Sequence, residues 1–401
     1  GSDFSSILSG VSCSIDSHSD RSFIGAGSGS KIISSSNHSF VGTGINNTIK
    51  FASSSFIGAG IDNTIEGTLG NTTAPDPLDI SISLGNFSSR DSGIVSGREN
   101  KILNARTSFI GGGTENIISG STQLVDFSST DYLSDSPGFS VIVGGSENKI
   151  KNLSYGAFIG GGYDNEIRRD GPVSNLLQYN IFSAIVGGSS NKITNSNSDS
   201  SFPMGFGFIG GGSNNWLSGS SYSTIVGGAS HRINQDSKYN FIGGGNANYI
   251  GSSTTENDYC FIGGGRFNEI TGNGGDYSVI VGGDDNTITG TGDWNFIGGG
   301  EDNVISSTGN FNVILGGEAN TIGSSYTDTF IIGSGITANA SNTTFVEGLN
   351  ASGNIIVGGT VDGVDVATIG GYLNQAVKTT SSPTFADITI SDLGTFAGGI
   401  N

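Results

Sequence analysis

The chain has little of what an ordinary enzyme domain is built from. Only 13% of its 401 residues are charged, against about 25% in an average soluble protein. It has six prolines, one methionine, two cysteines and three histidines. Basic residues are scarce: 16 Lys and Arg stand against 35 Asp and Glu, for a formal charge of -19. With no basic run, nucleic acid and anionic membranes are poor partners, because both are held mainly by clustered Lys and Arg. No apolar run approaches the roughly 20 residues that a membrane-spanning helix needs, so no membrane insertion is expected. Cys13 and Cys260 lie far apart without a CxxC spacing; they point to no zinc site or disulfide framework and read as buried thiols. The chain opens on Gly1 with neither Met nor a signal-like segment, and its numbering is expected to begin inside a larger protein.

What fills the chain is glycine, 69 residues of it, about 17% where roughly 7% is usual. The glycines mark a repeat. FIGGGTENII from Phe109 returns as FIGGGYDNEI from Phe158, FIGGGSNNWL from Phe208 and FIGGGEDNVI from Phe296, with a sister form VIVGGSENKI from Val141. About sixteen copies occur, most often about 17 residues apart. Repeats of this kind stack as a solenoid. The expected fold is all-β, a parallel β-solenoid or β-roll of about 16 short coils, on the order of 75 Å long at roughly 4.8 Å per coil.

Numbering each copy from zero, positions 1 and 9 are Ile in all but Val41 and Leu217, and form the core columns. Position 4 is always Gly and position 3 is Gly, Ala, Ser or Thr, so the backbone there is expected to need a positive φ or close approach, with no room for larger side chains. Position 7 is Asn in thirteen copies: Asn47, Asn63, Asn100, Asn116, Asn148, Asn165, Asn191, Asn215, Asn248, Asn268, Asn286, Asn303 and Asn320. Identical amides stacked at the strand spacing can bond one another, so this column reads as an asparagine ladder. Cys13, Ser30 and His231 are its exceptions.

Positions 0 and 2 share a face, because side chains alternate along a strand. Their volumes compensate in all sixteen copies: Phe109, Phe158, Phe208, Phe241, Phe261 and Phe296 at position 0 are each followed by Gly at position 2, whereas Gly93, Val141 and Ala184 are followed by Val. A solvated face needs no such matching, so the strand is expected to be buried on both sides, with a homotrimer packing through these positions. A flattened coil of about 34 residues, one motif form on each wall, is the alternative; the run of Phe forms at Phe23, Phe40 and Phe56 favours the short coil.

All insertions fall between position 9 and the next position 0. The long ones, 66–92, 119–140, 168–183 and 194–207, carry Tyr132, Tyr179, Phe182, Phe202 and Phe206, which are candidate receptor-binding residues if the loops form a binding surface rather than fold back over neighbouring coils. The repeats occupy 1–354. Residues 355–401 read as a second module, with a turn at Asp362-Gly363, a short helical seam through Val366, Ile369, Leu373 and Ala376, and a linker and strand from Thr379.

Glu115, Glu147, Asp164, Asp284, Asp285, Glu301 and Asp302 stand at positions 5 and 6, along one edge. A polysaccharide depolymerase would need two such carboxylates in a groove, and the row could also hold Ca²⁺; a solvated acidic edge is the simpler reading. His18, His38 and His231 join no Ser/His/Asp pattern, and the Gly triplets lack the Lys of a phosphate-binding loop. No catalytic residue, metal or cofactor is expected.

In its strand-Gly-turn pattern the repeat resembles the YadA-type heads of trimeric autotransporter adhesins, whose coils read like SVAIGxxxxAxG; here the coil is longer and carries the Asn column. The segment GGTVDGVDVATIGGYLNQAVKTTSSPTFADITISDL from Gly358 resembles a module of bacteriophage tail fibres, particularly those of phages of aquatic bacteria. The SFIGGG-type repeats are similar to fibre proteins of the same viruses. The resemblance implies a trimeric, extracellular virion fibre that binds a host surface glycan or protein and other tail or baseplate proteins. Such fibres often carry a C-terminal chaperone that is removed after assembly, which implies cleavage or truncation near Asn401. A cellular adhesin or surface filament is the alternative, and a depolymerase tailspike a further one.

Overall fold

The structure, a computed structural model, describes residues 3–16, 18–67, 89, 91–120, 138–152, 154–169, 180–195, 205–234, 237–251, 257–272, 275–350 and 352. Contacts divide the chain into two units, Gly1–Gly348 and Leu349–Asn401. The turn, helical seam and linker expected after residue 355 lie outside the described residues, as do Tyr132, Tyr179 and Phe202.

Each of sixteen coils gives one strand to each of two parallel sheets, and Phe330–Ile332 and Thr344–Val346 extend the first sheet alone, making 18 strands against 16. The strands are short, Phe109–Ile110 and Ile117–Ser119 in one coil, Val141–Ile142 and Lys149–Lys151 in the next. A strand this short has no stability of its own, so pairing with the coils on either side is what holds it. The register settles the size of the coil. Phe109 pairs with Gly93 on one side and Val141 on the other, so the two motif forms are direct neighbours in one sheet. A 34-residue coil would have paired alternate copies and is ruled out.

Three corners turn the chain. At position 4 the glycines adopt φ from +85° at Gly212 to +135° at Gly27, where a Cβ would run into the carbonyl of the matching glycine in the next coil. One residue later a single bridging residue, such as Thr114 to Ser146, forms a third ladder. Position 6 then turns left-handed, with Gly29 as its one glycine and other residues elsewhere, as at Glu115 (φ 57°) and Asp164 (φ 51°). Position 3 meets the expectation only in part: Gly161, Gly299 and Gly316 adopt positive φ, +158°, +147° and +159°, but close approach is not general. At Gly144, Gly187 and Gly211 no atom lies within 4 Å of where a Cβ would sit, so their smallness is not a packing requirement.

The interior is two facing columns of isoleucine. Ile110 and Ile118, like their counterparts from Ile24 to Ile322, are fully buried. Each such side chain contributes about 2 kcal/mol by leaving water. Beside the isoleucines the Asn column closes the turn. Asn116 Oδ1 accepts from the backbone N–H and from Nδ2 of Asn148, each at 3.1 Å. Its Nδ2 donates to the carbonyls of Gly112 and Gly145, both at 3.0 Å. All four bonds of a buried amide are satisfied, which is what burial of a polar group demands. A second polar ladder occupies the residue before position 0: Ser39 N–H donates to Ser22 Oγ at 3.2 Å, and Asn312 N–H to Asn295 Oδ1 at 3.1 Å.

Cys260 is buried and Cys13 only half-buried; both are free thiols. Burial pushes the Cys260 thiol up to about 12, so it is a packing residue and not a nucleophile.

Candidate functional site

The outward faces of the two sheets differ in chemistry. On the first sheet, positions 0 and 2 point away from the isoleucine core, and their side chains are apolar through nearly all of the sixteen coils. The Phe/Gly matching has a direct cause: the ring of Phe208 lies over Gly210, its Cε1 3.4 Å from where a Cβ would sit, and Phe158 lies over Gly160 at 3.3 Å. Rings in adjacent Phe coils stack, Phe241 on Phe261 at 5.2 Å and Phe23 on Phe40 at 5.6 Å.

This face is not buried within one chain. Phe109 and Phe208 are 36% and 37% exposed, Val143 50% and Leu315 52%. Within one chain the strand is therefore buried on its isoleucine side alone, and none of these four is covered by the chain that carries it. Three residues wide and sixteen coils long, the face is on the order of 750 Å² at the usual strand dimensions. That exceeds the roughly 300–600 Å² patch a typical monomer exposes.

Along the corner two residues before position 0 runs an aromatic stack. Phe182, Phe206, Tyr222, Tyr239, Tyr259, Tyr277, Trp294 and Phe311 follow in consecutive coils, with centroids 4.7–5.8 Å apart. Every one has a left-handed backbone, φ 52–64°, a conformation costing a bulky residue about 1–2 kcal/mol. Ring stacking at about 0.5–1.5 kcal/mol per pair offsets that cost. Two of the candidate receptor residues, Phe182 and Phe206, belong to this stack, 54% and 47% exposed. Sequence reasoning missed the column because it numbered the motif from the strand onward; reading two residues back from each strand would have found it.

The second sheet presents charge. Its outward positions 8 and 10 carry Lys31, Lys50, Lys101, Lys149, Lys151, Arg168, Lys192 and Arg232, with Glu66, Glu166 and Glu269 among them. Glu166 lies 3.2 Å from Lys151, 3.6 Å from Arg168 and 3.9 Å from Lys192. Lys50 pairs with Glu66 at 2.7 Å. Trp216 is enclosed by Arg232, 4.3 Å from its ring, and Lys192, 5.4 Å away.

The acidic row follows the corner between the sheets. Glu115, Glu147, Asp164, Asp285 and Asp302 occupy the left-handed position, while Asp284 and Glu301 bridge one another in adjacent coils. Asp284 is held below the usual carboxylate range by its hydrogen-bonded pair with Arg266. Glu147 raises the Tyr163 hydroxyl beside it. Among the described residues, no group of three or more His, Cys, Asp or Glu converges in a way that could hold a metal. The carboxylates follow one another in file along this corner from coil to coil.

No protein-family model matches the chain, and no curated protein matches it significantly.

Proposed function

We propose that the chain is the shaft of a homotrimeric virion fibre that adheres to the host cell surface, assembling with other tail or baseplate proteins at its ends. The observation that carries the reading is the uncovered Phe/Val face of the first sheet. An exposed apolar strip of this length in water is an interface waiting for its partner. Its repeat matches that of an identical chain laid alongside, so copies in a closed ring cover it without leaving an end.

The test is incubation of the fluorescently labelled chain with cells of aquatic bacteria, alongside viscometry of their surface polysaccharide. Saturable binding with unchanged viscosity is the expected result. A fall in viscosity on incubation would replace the adhesin reading by a depolymerase.

A further inference from the structure

From the charge pattern of the second sheet we infer a binding surface for acidic polysaccharide, centred on Trp216 and the cations around it. Half of the chain's 16 basic residues stand on the outward positions of this one sheet, whereas the chain as a whole is acidic by 19 charges. The coil register makes the cluster. Lys149, Glu166, Lys192, Trp216, Arg232 and Tyr249 are far apart in sequence yet direct neighbours in one column. Spaced at the strand repeat, they run about 24 Å along the sheet, with Lys151 and Arg168 paired beside them at position 10.

Several features favour a glycan over other polyanions. The cations alternate with aromatics: Arg232 lies between Trp216 and Tyr249, at 4.3 and 6.0 Å from their rings. The Trp216 indole N–H donates to Thr194 Oγ1 at 2.9 Å, and Arg232 donates to Asn234 Oδ1 at 2.9 Å, so both side chains are held in place before a ligand arrives. Fixed Trp, Tyr and Arg side chains are the usual anchors of binding surfaces. Guanidinium and ammonium groups recognise carboxylate or phosphate, and sugar C–H edges pack against the aromatic borders. Glu166 tempers the cluster, and from the acidic ridge one corner away Asp164 pairs directly with Lys149 at 3.0 Å, so the open cations are those around Trp216. A dense polyanion such as duplex DNA meets that ridge; a thin, sparsely charged glycan strand need not.

The inference rests on the fibre reading, in which the apolar sheet faces partner copies and this sheet faces out. The experiment is titration of the full chain with alginate, with polygalacturonate and with a phosphate-bearing teichoic acid, using neutral dextran and duplex DNA as comparators. Binding to at least one acidic glycan, lost in high salt and absent with dextran, is expected. Preference for the teichoic acid assigns the phosphate source, preference for the uronates the carboxylate source. Arg232→Gln with Lys192→Gln should weaken it at least tenfold, and Trp216→Ala by a similar factor, with unfolding temperatures unchanged for the Gln pair. No binding to any acidic glycan, equal binding to dextran, tighter binding to DNA, or full affinity in the folded Gln pair would each overturn the inference. Native mass in the same samples separates the two proposals. Trimers that ignore acidic glycans sink only this inference, whereas monomers that bind them sink only the fibre.

Discussion

Ser30 and His231 are the two fully buried departures from the asparagine column, and each leaves the ladder incomplete. The Ser30 hydroxyl is buried without a hydrogen-bond partner. Asparagine there would offer an acceptor to Asn47 and donate to the next turn, a gain of about 1 kcal/mol per bond made. Ser30→Asn should therefore raise stability by about 1–2 kcal/mol, read as a higher unfolding temperature at matched protein concentration; a lower one would mean the column has no room. His231 keeps part of the ladder. Its N–H donates to Asn215 Oδ1 at 3.0 Å and its Nδ1 accepts from Asn248 at 3.1 Å, while Nε2 is left without a partner. Burial lowers its pKa from 6.5. The unfolded chain thus takes up the proton first, and this contribution to stability, complete above about pH 6.5, is lost as pH falls toward the folded-state value. His231→Asn should flatten the stability profile below about pH 6.5, measured by thermal unfolding across roughly pH 5–8. An unchanged slope would place the titration elsewhere.

At the scale of the coil, the sequence showed the core and the turn but not which glycine turns. Ile at positions 1 and 9 and Asn at position 7 were legible because each column recurs without regard to loop length. In the copies with Gly at both positions 3 and 4 the letters alone do not separate them, yet Gly212 sits at φ +85° against the next coil's carbonyl while Gly211 faces open space. Gly212→Ala should cost several kcal/mol, combining the left-handed penalty with the backbone collision. Gly211→Ala should lie within about 0.5 kcal/mol of the parent or slightly above it. Comparable losses for the two, in denaturant unfolding, would show that the corner has been placed one residue wrong. The charged column was illegible for a different reason: Lys149, Lys192 and Arg232 form no run in the chain, and only stacking turns their spacing into proximity. Scarce bases argue against polyanion partners only when they are also scattered in space.

At the scale of the molecule, everything turns on what covers the first sheet. Reading the volume pairing of positions 0 and 2 from sequence found a face that must be matched to something, and the structure shows the rings of Phe158 and Phe208 lying over their glycines while the strip as a whole stays open. Alternation along one strand reveals that a face is apolar but not whose atoms bury it, which is why the sequence left the second coil wall and a second chain as rival explanations. The register removes the first. The direct test of the second is native mass by light scattering over a range of concentrations, on the parent and on Phe208→Asp. The account predicts about three times the 40.8 kDa chain for the parent and a lower mass for the variant; a parent that stays monomeric at every concentration would contradict it.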